Sequence, residues 1–118
     1  MFRTTENPIL NRFDIPDLGP HIRDVSSVFN PAAIKLGDVY HLMLRVQNRG
    51  RETYLMIADS NDGVNFSVRD NLVNFNGIEK IKDTVYHVYD PRITKIGNNI
   101  YVIFAMDMAQ GCVLGLAQ

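Results

Sequence analysis

The sequence predicts an all-β protein built from sectors of a β-propeller. Three observations predict it. Short runs of β-favouring residues are separated by Gly, Pro, Asn and Asp. No apolar stripe is sustained at helical spacing, so little or no helix is expected. A pattern of residues also recurs after about 60 positions, the scale of one propeller blade.

The elements follow in chain order. Residues 1–27 hold Pro8, Pro16 and Pro20, each of which fixes φ and lacks an N–H, together with the turn formers Asp14, Asp17, Gly19 and Asp24. They read as an extended N-terminal arm that wraps something larger. Residues 28–118 read as the first two blades of an incomplete propeller. Residues 39–46 and 53–58 are strand-like runs joined by a polar loop at 47–52. Asn61-Asp62-Gly63 marks a turn, since Gly takes positive φ at little cost. Residues 85–89 and 100–106 are further strands, with a hairpin turn at Gly97-Asn98-Asn99. The run from Val113 to Ala117 resembles Leu55-Met56-Ile57-Ala58 and reads as another.

The repeat carries the argument. Pro31 pairs with Pro91, Lys35 with Lys95 and Gly37 with Gly97, each 60 apart (91 − 31). One inserted residue would then bring Tyr40 onto Tyr101. A single blade cannot bury both faces of its sheet and leans on neighbours around a ring. With just under two periods, and an end inside a strand-like run, the chain reads as the N-terminal piece of a longer protein.

Composition excludes several classes. Twelve Lys and Arg stand against 13 Asp and Glu, so no basic excess favours nucleic acid. No apolar run nears the roughly 20 residues that span a bilayer. The first residues show no secretory h-region, and the single Cys112 allows no intrachain disulfide. The expected compartment is a reducing cytoplasm, with the periplasm left open. His21, His41 and His87 show no metal-ligand spacing, so no metal is expected. Cys112, in an apolar strand, reads as packing.

The ordered motifs resemble those of a known family. Asn7-Pro8-Ile9-Leu10, Val28-Phe29-Asn30-Pro31-Ala32-Ala33, Leu44-Arg45-Val46, Ser60-Asn61-Asp62-Gly63-Val64-Asn65-Phe66 and Tyr89-Asp90-Pro91-Arg92-Ile93 together are similar to glycoside hydrolase family 130. That family contains β-mannoside phosphorylases and some β-mannosidases on a five-bladed propeller. The resemblance covers nearly all of this chain but only the first third or so of a family member. It implies a phosphorylase of glycosyltransferase type, or a glycoside hydrolase, acting on a β-linked manno-oligosaccharide or mannosyl-glucose. It implies no cofactor beyond inorganic phosphate as co-substrate. By the same resemblance Asp90 is the general acid, protonating the glycosidic oxygen through a mannose hydroxyl while phosphate attacks with inversion. Asn30 and Arg45 match positions lining the mannose pocket. Many members carry Glu where this chain has Tyr89, which shifts the subgroup more than the fold. The phosphate-holding residues of the family lie in later blades. Phosphorolysis, hydrolysis, another five-bladed glycosidase and a non-catalytic sugar-binding remnant all stay open, as does homo-oligomerisation. The chain by itself is expected to be inactive.

The residues have their own logic. A leaving glycosidic oxygen needs a proton, and a carboxyl raised by burial or by a nearby negative charge is the usual donor. Asp90 precedes Pro91, which predicts an extended Asp90. The repeat places Asn30 at the equivalent point of the preceding blade, so both can face one funnel. An Asx before Pro is also an ordinary cap or turn residue. Arg45 lies among apolar residues and needs a partner or a ligand, unless its strand face is exposed. Arg92 is read equally as a substrate contact or as a structural ion-pair partner. Asp107, at a strand end, is a candidate second pocket carboxylate, although a turn role suits it better. Asp59 and Asp62 read as turn stabilisers. Tyr86 and Tyr89 read as core before sugar platforms.

Overall fold

The computed structural model describes residues 5–118. The first four residues of the expected arm lie outside the described residues. Seven strands form two antiparallel sheets. The first sheet runs β1 (Val25–Leu36), β2 (Val39–Asn48), β3 (Thr53–Ser60) and β4 (Ser67–Leu72) in sequential order. The second runs β5 (Val85–Ile96), β6 (Asn99–Met108) and β7 (Gly111–Ala117). Helix among the described residues is limited to two 3₁₀ turns, Arg12–Asp14 and Ile78–Lys80. The expectation of an all-β chain with almost no helix holds.

Strand alternation decides the layering. On β2, Leu44 and Val46 point one way and Met43 the other, and all three are buried. Leu44, Val46, Met56 and Ala58 pack under Ile22, with Leu10, Ile15 and Leu18 beside them. The irregular arm therefore seals one face of the first sheet. On the opposite face, Met43 and Leu55 pack against Val102, Phe104 and Met106 of the second sheet. Phe104 stacks on Phe75 from the connecting segment, centroids 4.1 Å apart.

Backbone register corrects one expectation. Leu36 pairs with Val39 and Ile96 with Asn99, so both hairpins have two-residue loops. Each loop begins with Gly at φ 60°, the position and sign that a type II′ hairpin turn demands. Lys35 then pairs with Tyr40, and Lys95 with Ile100. The offset stays at 60 throughout these hairpins. No inserted residue brings Tyr40 onto Tyr101, because the identical turns keep the count. By that offset Val102, Phe104 and Met106 correspond to Leu42, Leu44 and Val46. The arm covers on the first sheet what the first sheet covers on the second.

The far face of the second sheet is open. Ile103, Leu114 and Leu116 lie on it, 47%, 77% and 68% exposed. They correspond to Met43, Leu55 and Ile57 of the first sheet, which the second sheet covers. Cys112 sits on this face beside Asp107 and is exposed rather than packed, contrary to its reading from sequence. Two strand limits also differ from the sequence pattern. β1 begins at Val25, ahead of the β pattern legible from Val28, and β4 (Ser67–Leu72) is a polar strand that the pattern does not reveal.

Candidate active site

The candidate residues sit where the repeat breaks its own ladder. On β1, Phe29 pairs with Arg45 and Ala32 with Met43, so Asn30-Pro31 together oppose one residue. On β5, Tyr89 pairs with Ala105 and Arg92 with Ile103, so Asp90-Pro91 do the same. Both are β-bulges, which re-aim a side chain and bend the strand. Pro suits a bulge because it has no N–H to donate. Asn30 has φ 45° and Asp90 φ 51°. The left-handed conformation is one that Asn and Asp tolerate better than other side-chain-bearing residues. The expectation of an extended Asp90 is thus overturned: the bulge sets its backbone, against the bias that Pro91 imposes.

The two bulges meet. Asn30 Nδ2 donates to Asp90 Oδ1 at 3.0 Å, joining equivalent positions of the two sheets. Arg45 Nη1, from β2, donates to the same Oδ1 at 2.8 Å. Both bonds land on one oxygen. Asp90 Oδ2 takes none of the hydrogen bonds found among the described residues. The pair is largely shielded, with the Arg45 side chain 17% and the Asp90 side chain 31% exposed. Burial pushes the Asp90 carboxyl up. The bonds from Asn30 and Arg45, with the charges of Arg45 and Arg92, outweigh it and hold the carboxyl below its ordinary value. Asp90 is ionised here, whereas the sequence argument expects a carboxyl raised by burial or by a negative neighbour. Its charged neighbours are positive instead.

Arg45 is stacked as well as bonded. Its guanidinium carbon lies 4.3 Å from the centroid of Phe29 and 4.6 Å from that of Tyr89. Tyr89 therefore covers Arg45 instead of filling the core. Its hydroxyl lies 3.4 Å from Cys112 Sγ, and that contact, with burial, pushes the phenol up to about 12.

Asp107 and Arg45 both open onto a cavity of about 240 Å³, shared with Gln47, Arg51, His87 and Tyr89. Neither Asn30 nor Asp90 lines that cavity, which adjoins their cluster through Arg45. Arg92 stands apart. It is exposed, and its Nη1 donates to the carbonyl of Pro91 at 2.7 Å, so it reaches Asp90 only through its charge. A larger crevice of about 450 Å³ runs between β3 and β5 past Phe75 and the exposed Tyr86, sharing Thr53 and His87 with the smaller cavity. It is lined by Glu79 and His87 but by no arginine or lysine.

Nothing in the sequence marks Gln47, Arg51 or His87 as site residues. Phe29 had a usable signal, being aromatic and 60 residues before Tyr89, with each preceding an Asx-Pro pair. Asp62 is the turn hub expected of it, accepting from Ser60, Val64 and Asn65. Asp59 is not part of that turn. It binds Arg69 across β3 and β4 at 2.6 Å and faces His41 Nδ1 at 2.6 Å.

Comparison with known proteins bears on this geometry. The profile of glycoside hydrolase family 130, described as β-1,4-mannooligosaccharide phosphorylase, matches residues 2–118. A β-1,2-mannobiose phosphorylase from Thermoanaerobacter sp. (strain X514) is 31% identical over 117 residues, covering 88% of this chain and 37% of that protein. Among solved structures, a candidate glycoside hydrolase from Bacteroides ovatus ATCC 8483 superposes with a TM-score of 0.80 at 21% identity, over 98% of this chain and 36% of that one. A β-1,2-mannobiose phosphorylase from Listeria innocua, in complex with β-1,2-mannobiose, gives 0.77 at 19% identity, over 98% and 46%. The chain thus spans about a third to a half of the length of these relatives, and its two sheets are neighbouring blades of their β-propeller fold.

Proposed function

This chain belongs to glycoside hydrolase family 130, and from that premise we propose that it carries the acid-bearing part of a β-mannoside-cleaving enzyme, most simply a phosphorylase that yields mannose 1-phosphate. The observation that carries the reading is the convergence of Asn30 and Arg45 on one oxygen of Asp90 from two blades. It leaves Oδ2 to hold the reacting proton.

Cleavage passes through an oxocarbenium-like state, and the departing oxygen needs a proton from Asp90, relayed by a sugar hydroxyl. Inorganic phosphate adds at the anomeric carbon from the opposite face as the glycosidic bond breaks. Asn30 and Arg45 offer donors for sugar hydroxyls. Asp90 must gain its proton before it can act as an acid. Burial is the influence that favours the protonated form here, and a seated sugar deepens burial. Substrate binding and protonation are thereby coupled. Asp107 contributes a second polar group beside Arg45, while Arg92 acts through charge alone.

The test uses the full-length protein. Asp90→Asn should lower mannose 1-phosphate formation from β-linked mannobiose and phosphate by about 10²–10⁴-fold, with the far-ultraviolet spectrum unchanged. A rate equal to the parent removes Asp90 from the acid role. Release of free mannose at a rate indifferent to phosphate assigns hydrolysis instead. The 118-residue chain, which spans 37% of its phosphorylase relative, should show no turnover by itself.

A further inference from the structure

Arg45 is held in a way its hydrogen bonds do not explain. Guanidinium groups steered by carboxylates usually offer two parallel donors. Arg45 offers one, Nη1, to Asp90. Its Nε is buried and has no hydrogen-bond partner among the described residues. The larger contact is with two ring faces, Phe29 on one strand and Tyr89 on another. These rings occupy equivalent places (89 − 29 = 60), each directly before a bulged Asx-Pro pair. The bulge turns the Asx outward, and the residue before it stands where it can bracket Arg45. The Tyr89 ring is tethered in turn through its hydroxyl to Cys112.

We propose that Phe29 and Tyr89 are positioning residues that clamp the Arg45 guanidinium between their faces, so that Nη1 meets Asp90 Oδ1 and Oδ2 stays available to the reaction. Only the role given to Oδ2 rests on the proposed function, and the clamp is measurable without turnover. The groups that act on Asp90 are Asn30 and Arg45 by hydrogen bonds and Arg45 and Arg92 by charge, and those that act on Tyr89 are Cys112 by its contact and Asp107 and Arg45 by charge. Arg45 is the cation common to both sets. Loosening it must therefore register at the Asp90 carboxyl.

The experiment is a carbon-detected NMR titration of the Asp90 side-chain carboxyl in the 118-residue chain. Arg45→Gln should move its midpoint upward. Phe29→Leu and Tyr89→Leu should move it in the same direction by a comparable amount, because a freed guanidinium no longer dwells on Oδ1. Tyr89→Phe keeps the ring and should titrate like the parent. Leucine variants that fold and titrate like the parent overturn the clamp. If they do not fold, the Arg45 Nε–Hε resonance of the parent decides. A clamped guanidinium gives a ring-shifted, slowly exchanging signal, and one averaged with those of exposed Arg23 and Arg49 overturns the proposal. Should Asp90→Asn leave turnover intact in the full-length protein, the acid assignment fails while the clamp result stands, so the two failures are distinguishable.

Discussion

Replacing Asp90 tests two separate properties of that position, its charge and its backbone. Asn at 90 keeps an oxygen for Asn30 and Arg45 and keeps the Asx tolerance of φ 51°. It loses the charge-assisted character of the Arg45 bond. The difference between a charged and a neutral hydrogen bond is about 1 kcal/mol, and partial exposure of the pair argues for no more. Gly at 90 loses both bonds and strands the Arg45 donor, a cost of about 2–3 kcal/mol, but accepts positive φ freely. Ala suffers the same loss and adds roughly 1 kcal/mol of left-handed strain. Stability should therefore fall in the order parent, Asn, Gly, Ala. Denaturant unfolding of the chain, with slopes compared to confirm that the same transition is read, measures the series. An Ala variant as stable as the Gly variant would refute the strained-bulge account. An Asn variant as unstable as Ala would refute the assignment of most of the pair's value to geometry.

Three further outcomes are expected. Asp90 and Asp59 are both held below the ordinary carboxylate value of 3.8, Asp90 by Asn30 and Arg45 against burial and Asp59 chiefly by Arg69. A depressed carboxyl stabilises the fold above its unfolded value and loses that contribution as pH falls through the folded one. Thermal midpoints should thus drop below pH 3.8, with a shallower drop in Asp59→Asn. A Cβ on Gly115 would collide with the Phe104 ring, which is itself pinned by Phe75, so Gly115→Ala should cost about 1–3 kcal/mol by differential scanning calorimetry and recover in part with Phe104→Leu. Ile22 is fully buried under the first sheet, and Ile22→Ala should cost about 2–5 kcal/mol and speed proteolysis within the arm.

Much of the architecture is legible because its punctuation is local. Pro31 and Pro91, with Gly37 and Gly97, mark the bulges and hairpins directly. The motifs around Asn30, Arg45 and Asp90 likewise bring the site's members together on paper. What stays hidden depends on neighbours. Ser67-Val68-Arg69-Asp70-Asn71-Leu72 has no β-rich pattern, and its pairing with β3 makes it a strand. The conformation of Asp90 runs against the local rule for a residue before proline, because the bulge overrides it. The cations around Asp90 reach it from β2 and from the residue beyond Pro91, so the direction of its acidity could not be read from a buried position alone. Tyr89 looks like core in a β run, and only the folded register turns its face onto Arg45.

The two flanks of this sheet pair differ in what they offer a neighbouring sheet. One flank is sealed by residues 10–22, and the other presents Ile103, Leu114 and Leu116. Copies stacking head to tail would set the greasy flank of one against the sealed flank of the next. Such heterologous contacts close into a ring where the rotation between copies permits and otherwise grow into filaments. Here the N-terminal segment already occupies the complementary surface, with Ile22 as its anchor. Stacking of either kind would first have to peel that segment away.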